Sequence, residues 1–391
     1  MRYLVILNDI ANVVDCEHKT APTEKTGYPS IRTPNIGRGR LILAGVNRVS
    51  KKTYELWARR AIPQTHDLIL AREAPVGNVA IIPNGLKVCL GQRTVLIQPD
   101  RKNVNPHYLT YLLLGNEIQG RFKSVSTGAT VAHLNVRDIR DLPLPELPPL
   151  ETQRKIAAIL SAYDDLIENN LRRIKILEEM AQRLYREWFV HFRFPGHEKV
   201  RLVDSSLGKI PEGWEVAKLG DVIELAYGKG LKASERIPGE VPVYGSGGIV
   251  GFHNESLVTG AGIIVGRKGN VGSVNWSDVD FFPIDTVFYV KTKLPMYYVF
   301  YNLQTQNFIN TDAAVPGLSR NSAYLLSFIV PGKNALQKFE EMIQPIFAQI
   351  RNLKSRDENL RQTRDLLLPR LISGELDVSE LAIKTANEND K

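Results

Sequence analysis

Residues 67–79 read DLILAREAPVGNV and residues 262–274 read GIIVGRKGNVGSV. Arg72 falls on Arg267, Gly77 on Gly272 and Val79 on Val274, each 195 residues further on. A period of this length is too long for a solenoid unit and matches a domain plus its connector. The likeness continues in the same order elsewhere. LNDIANVVD (Leu7 to Asp15) resembles LGDVIELAY (Leu219 to Tyr227), Thr94-Val95-Leu96-Ile97 resembles Thr286-Val287-Phe288-Tyr289, and ATVAHL (129–134) resembles AAVPGL (313–318). The spacing between matches drifts, which places loops of different length between conserved elements. The chain therefore reads as two copies of one module, able to engage two sites on one long ligand.

Each copy is β-rich and ends in a long helix. LVIL, LILAGV, DLILA, NVAII and TVLIQ are short apolar runs broken by Gly, Pro and Asn. YLTYLLLGNEIQGRF, opened by Pro106, is a helical stretch, and the proline-rich DLPLPELPPL (141–150) is a boundary. From Glu151 the period changes: Leu160, Tyr163, Ile167, Asn170, Ile174, Leu177, Ala181, Leu184 and Trp188 recur in steps of three and four, the seam of a heptad helix ending near HFRFPG (191–196). Asn170 is its one polar member, a residue type that fixes register at some cost in stability.

The second copy opens at IPEGWEVAKLGDV (210–222), with strands in VPVYGSGGIVGF, GIIVGRKGNVGSV and TVFYV and a helix in MYYVFYNLQTQNFI. A second seam follows IVPGK: Phe339, Ile343, Ile346, Ile350, Leu353, Leu360 and Leu367, interrupted by Asp357 and Arg364. Pro345 is expected to kink this helix or mark a restart, and the polar end after LLLPRLISGELDV is expected to fray. Two such helices can pack antiparallel; about 35 residues at ~1.5 Å each make a rod of roughly 50 Å. The expected architecture is α+β: two similar β-rich modules separated by an antiparallel two-helix coiled coil, with a pseudo-two-fold internal repeat.

Composition narrows the partner. The chain has 391 residues and a formal charge of +8. Residues 1–150 hold 20 Lys/Arg against 12 Asp/Glu, so the surplus lies in the first module and the remainder balances. A basic surface suits a polyanion, which releases counterions on binding; an ordinary basic protein is the alternative reading. Cys16 and Cys89 form no disulfide framework, no stretch approaches the ~18 apolar residues of a membrane span, and the expected location is the cytoplasm.

Enzyme signatures are mostly missing. Gly269 follows Lys268 where a P-loop needs Ser or Thr. YGSGGIVG (244–251) lacks dinucleotide-loop spacing, Cys16-x-His18 is too little for zinc, and there is no Asn/Asp-Pro-Pro-aromatic methyltransferase motif or nucleophile elbow. Neither a catalytic residue nor a metal site is expected. Residues suited to DNA are present on glycine-rich loops. In the first module they are Arg32, Thr33, Asn35, Arg38, Arg40, Arg72, Asn78, Gln92, Arg93, Thr127, Thr130 and His133. In the second they are Lys229, Lys232, Tyr244, Ser246, Arg267, Lys268, Asn270, Ser319, Arg320 and Asn321. Arg and Lys read guanine edges, Asn and Gln read adenine, and hydroxyls hold phosphates. Any one of them could instead be an ordinary solvated loop residue, and Arg72 and Arg267 could instead pair with carboxylates.

WEVAKLGDV, the two Arg…Gly-x-Val strands, PLPELPPLETQRKIAAILSAYDDLIENNLRRIKILEEMAQRLYREWF and LLLPRLISGELDV together resemble the specificity subunit of type I restriction–modification enzymes, over nearly the whole chain. The resemblance implies two target-recognition domains, at 1–147 and 197–332, with coiled-coil helices at 148–196 and 333–372 and a tail at 373–391. Each domain would read one half of a split, asymmetric site on double-stranded DNA, with the helices setting the spacer. It implies a non-catalytic subunit that docks two modification (adenine-methyltransferase) subunits and then restriction subunits; it needs no cofactor of its own, S-adenosylmethionine belonging to the methyltransferase. One departure is that the first module lacks the Trp-Glu-x-x-x-Leu-Gly-Asp opening and starts almost directly at LVILNDI, which leaves its N-terminal boundary open. A bivalent protein-binding scaffold and a stand-alone DNA-binding regulator are the alternative functions.

Overall fold

The computed structural model describes residues 3–126, 132–308 and 317–385. The chain divides into two compact units, Met1–Asn169 with Asp357–Lys391, and Asn170–Arg356. Among the described residues no helix is long and apolar enough to cross a membrane.

In the first unit a five-stranded sheet has the order Ala11–Asp15, Thr94–Pro99, Leu68–Ala71, Val79–Ile81, Gly39–Arg40. A smaller sheet joins Arg48–Val49, Tyr28–Ile31 and Cys89–Leu90, and Tyr3–Ile6 pairs with Pro143–Pro145. The second unit repeats this plan. Its four-stranded sheet runs Ile223–Tyr227, Val287–Thr292, Gly262–Gly266, Val274–Ser277; its smaller sheet joins Gly248–His253, Val241–Gly245 and Phe282–Pro283; and Glu215–Lys218 pairs with Ser327–Val330. Even the one parallel pairing of the smaller sheet recurs, Ser30 against Cys89 and Val243 against Phe282. The repeat is one of register as well as of sequence, with one correction: the pairing sets Val95 on Phe288 and Arg93 on Thr286, so the match of Thr94–Ile97 to Thr286–Tyr289 is displaced by one residue, because register follows the pairing with the central strand and not the shared Thr-Val.

The Arg…Gly-x-Val match marks the same hairpin of each main sheet. Leu70 faces Val79 and Val265 faces Val274. Gly77 (φ +83°) and Gly272 (φ +74°) hold the left-handed turn between the strands, where an L side chain is strained. Their amides donate to Ala71 O (3.0 Å) and Gly266 O (2.8 Å). A Cβ on Gly272 would lie 2.7 Å from Phe308 Cβ, so the position is closed to other residues by packing too.

Each main sheet is covered by a short helix buried on most of its surface. Pro106–Leu114 is capped by Asn105, whose side chain accepts from the Tyr108 amide (3.0 Å), with Pro106 in the first turn where no amide is needed. The expected single helix here is two: Gly115 ends the first and Asn116–Val125 follows. Met296–Thr305 is the counterpart in the second unit. LILAGV is not a strand. Ile42 and Leu43 are exposed and only Leu41 makes a bridge, to Ile36, because the Asn35 side chain donates to Ile42 O and holds the segment in a turn. The helix Lys51–Trp57, capped by Ser50, has no apolar period to announce it, and none of its residues is buried.

The two long helices are Leu150–Tyr185, continued by a π turn over Arg186–Val190, and Lys333–Ile372. Within each unit they pack antiparallel. In the first, Ile156, Ala157 and Leu160 share a core with Leu367, Leu368 and Leu371. In the second, Ala181, Tyr185, Trp188 and Phe189 share one with Leu336, Phe339, Ile343 and Phe347. Phe339 is fully buried, with Phe189 edge-on at 4.9 Å; burial of such a ring contributes about 1.5–3 kcal/mol. Ile174, Ile350 and Leu353 continue the second unit's seam, flanked by Leu177 and Ile346.

Three expectations need correction. Pro345 does not restart the helix, which runs unbroken through it; the proline is exposed while Ile343 and Phe347 on either side are buried, so the acceptor it orphans faces solvent. Arg364 does not interrupt the seam, because its guanidinium donates to Asp164 at 2.6 Å within the first unit. The chain just after LLLPRLISGELDV is held rather than frayed: Lys155 Nζ donates to Ser379 O and Ile383 packs on the first unit's core beside the buried Val378, while 386–391 lie outside the described residues.

Beside that Asp164 pair lies His107, whose imidazole pKa burial pushes down to about 4, with His66 and Arg40 adding to the effect and Asp165 and Asp164 opposing it. Its pKa in the unfolded chain is near 6.5. The unfolded state therefore binds the extra proton first, and stability is lost as pH falls from about 6.5 to about 4. Urea unfolding of the first unit should show a loss of about 2–3 kcal/mol over that window, and His107→Gln should remove most of this slope; an unchanged slope contradicts the assignment.

Candidate nucleic-acid interface

In the first unit the candidate residues are mostly engaged by their own fold. The Asn35 side chain accepts from Arg32 N and donates to Ile42 O, closing a turn. Arg38 donates to Leu114 O (3.1 Å), and Arg40 pairs with Asp165 and Glu168 of the first long helix. Asn78 donates to Ile36 O, and Gln92 bonds Thr20 and His18 O. Arg93, at φ +65°, pairs with Glu73 (3.0 Å). Arg72 is largely enclosed: it donates to Asp15 Oδ1 (3.2 Å) and Leu134 O (2.8 Å), with His133 Nε2 at 3.4 Å. Arg32 keeps an exposed side chain and Thr33 is half-buried. Thr127 and Thr130 lie outside the described residues.

Asp15, Cys16 and His18 offer ligand atoms within 4.8 Å of one another. The arrangement does not suit a cation. Asp15 already serves both Arg72 and His18, and burial pushes the Cys16 thiol up, away from the thiolate a metal needs.

The second unit is different. Ser246 and Asn270 come together, the Asn270 amide donating to Ser246 Oγ (3.3 Å) while Ser273 Oγ donates to Ser246 O (2.6 Å). These bonds join the turn after Tyr244 to the turn after Arg267. Tyr244 itself is buried, its hydroxyl 3.4 Å from Trp276 O and its pKa raised by burial. Lys268 and Asn270 are exposed in the glycine-rich turn, and Lys229 is exposed on the neighbouring strand end. Lys232 pairs with Glu235. Ser319 caps the helix Arg320–Tyr324, on which Asn321 is exposed. The guanidiniums of Arg267 and Arg320 both lie over the Tyr227 ring, at 5.0 and 4.7 Å.

Of the seam residues, Leu160, Ile167, Asn170, Ile174, Trp188, Phe339, Ile343, Ile350 and Leu353 are buried, and Tyr163, Leu177, Leu184, Ile346, Leu360 and Leu367 are half-buried. Asp15, Tyr227, Asp164 and Glu168 organise the arginines and were not singled out from sequence. The signal for two of them was there: Asp15 and Tyr227 close the matching segments LNDIANVVD and LGDVIELAY.

The pairing of two copies of one sheet plan with two long antiparallel helices finds its counterpart in known proteins. The profile of the Type I restriction modification DNA specificity domain matches residues 5–179 and 211–353, most of the chain and both copies. The chain belongs to this family. It is 28% identical over 368 residues to the type I restriction enzyme MjaIX specificity subunit of Methanocaldococcus jannaschii, covering 87% of this chain and 84% of that one. It is 23% identical over 412 residues to the HindI specificity subunit of Haemophilus influenzae, covering 82% and 88%. The fold is that of the crystallised type I restriction–modification S subunit of M. genitalium, with a TM-score of 0.61, 17% identity and coverage of 95% and 96%.

Proposed function

We propose that this chain is the DNA-sequence-reading subunit of a type I restriction–modification system. The observation that carries the reading is the register-true duplication of a glycine-looped β module, attached in both copies to one pair of long helices, in a chain of the DNA specificity family. Each module, 1–147 and 197–332, reads one half of a bipartite site, and the helical segments 148–196 and 333–372 set the length of the unread spacer and receive the methyltransferase subunits. The chain positions a catalytic partner rather than reacting itself. That partner takes the target adenine out of the stack, since a base cannot be modified while stacked in the duplex, and it supplies the S-adenosylmethionine site. Restriction subunits join the same complex, in the cytoplasm.

Within the modules, the side chains free for DNA are Arg32 in the first and Lys229, Arg267, Lys268, Asn270, Arg320 and Asn321 in the second. Those tied into the first unit, from Asn35 to Arg93, shape its loops instead. Long-read methylation mapping tests the reading. Deleting the gene should erase one bipartite adenine motif from the host genome. Adding one helical turn of four residues, ~6 Å, to both long helices should lengthen its spacer by about one or two base pairs at ~3.4 Å each. A methylome indifferent to the deletion rejects the function, and an unchanged spacer rejects the role of the helices.

A further inference from the structure

We infer that the second module carries a phosphodiester-binding cluster formed by Arg267, Lys268 and Arg320 and organised by Tyr227, and that the equivalent place in the first module is closed off by its own carboxylates. The inference rests on the DNA-reading function proposed above and assigns a ligand chemistry to one part of it.

The two copies superpose by strand register. Asp15 pairs across the sheet with Val95, which also faces Leu70; Tyr227 pairs with Phe288, which also faces Val265. Asp15 and Tyr227 therefore occupy one position. Arg72 and Arg267 occupy another, since the Leu134 amide donates to Arg72 O as the Leu318 amide does to Arg267 O. Glu73 bridges His133 where Lys268 bridges Gly317, and Arg93 O accepts from Arg72 N where Thr286 O accepts from Arg267 N. The helix Val136–Arg140 corresponds to Arg320–Tyr324, which sets Val136 against Arg320 and Arg140 against Tyr324.

The charges at these positions are opposed. In the first module Arg72 is met by Asp15 and Arg93 by Glu73, while Arg140 donates twice to Val13 O. In the second module both carboxylates are gone, Tyr227 and Lys268 standing in their places, and a further cation, Arg320, replaces Val136. Among the described residues Arg267, Lys268 and Arg320 make no ion pair. Arg267 spends one donor on Asp285 O (3.0 Å), and Arg320 Nε is buried without an acceptor. Residues 197–332 hold 12 Lys/Arg against 13 Asp/Glu, so this concentration of positive charge, without an ion pair among the described residues, is local.

Tyr227 explains how the cations are held. Its ring lies under both guanidiniums, Phe288 also faces Arg267 at 5.8 Å, and Tyr324 faces Arg320 at 5.9 Å. An aromatic face fixes a guanidinium plane without neutralising it. Two like charges on one ring repel, and an anion bridging them relieves the repulsion. Planar forks suit the paired oxygens of a phosphodiester, and Lys268 adds a mobile charge from the adjoining turn. Tyr227 is a positioning residue.

The test is duplex binding by the complex of this chain with its methyltransferase partner, using a duplex that carries the motif mapped in the host, between 50 and 200 mM NaCl. Lys268→Ala and Arg320→Ala should each reduce the slope of log K against log salt by about 0.9, the loss expected for one phosphate, with the methylated motif unchanged. Tyr227→Phe should keep the wild-type slope. Tyr227→Asp, which imports the first module's carboxylate, should reduce it. Lys268→Ala touches no buried contact and keeps the test independent of folding. Wild-type slopes in Lys268→Ala, Arg320→Ala and Tyr227→Asp overturn the cluster while leaving the DNA-reading function standing. A changed motif with an unchanged slope overturns it in favour of base contact. A wild-type complex that binds no duplex removes the underlying function and the cluster with it.

Discussion

Replacing Asp164 by alanine is expected to destabilise the first unit by about 3 kcal/mol, toward the lower end of the cost of breaking a buried ion pair. Asp164 is buried and accepts two short bonds, from Arg364 Nη1 at 2.6 Å and from the Tyr111 hydroxyl at 2.6 Å. It thereby ties one long helix both to the other and to the helix that covers the main sheet. Truncation strands a largely buried guanidinium and a buried hydroxyl together. The exposed Asp365, 2.8 Å from Arg364 Nη2, keeps one partner for the arginine, which is why the loss stays below the upper limit. Asp164→Asn keeps acceptor capacity but loses the charge, and should cost about 1–2 kcal/mol. The measurement is hydrogen exchange of the amides in 106–114 and 357–372, where opening of this unit is read separately from the other. A loss under 1 kcal/mol for the alanine variant would show that the pair contributes nothing net.

This pair also marks the boundary of what the sequence discloses. Elements with a long period were legible: both long helices, the internal repeat and the matching hairpins follow from spacing alone, because heptads and turn glycines are local patterns. Arg364 reads locally as a flaw in a heptad, and only the partner 200 residues away makes it part of the seam. The same limit governed the candidate site. Arg38, Arg40, Arg72 and Arg93 sit on loops of the kind that bind DNA, yet each meets an acceptor of its own unit that no spacing rule connects to it. Turn-forming side chains misled in the same way: LILAGV is apolar enough for a strand, but Asn35 captures its backbone. The repeat offered the remedy, since comparing the two copies position by position separates the arginine that a carboxylate neutralises from the one that an aromatic ring leaves charged.

The largest functional effect should come from exchanging a whole module. Replacing residues 1–147 with the corresponding module of another family member leaves the long helices and the second module intact. Because each copy has its own main sheet and its own glycine turns, the loops that contact bases travel with the module. One half of the recognised site should be replaced completely, a change of several base pairs at once, each mismatch costing about 1–3 kcal/mol. The other half-site should stay as it was.

Long-read methylation mapping of a host that carries this exchange is the most direct test of the central claim, that two copies of one module divide a bipartite DNA site between them. The expected motif has one new half and one original half. A motif in which both halves change, or neither does, would contradict that claim.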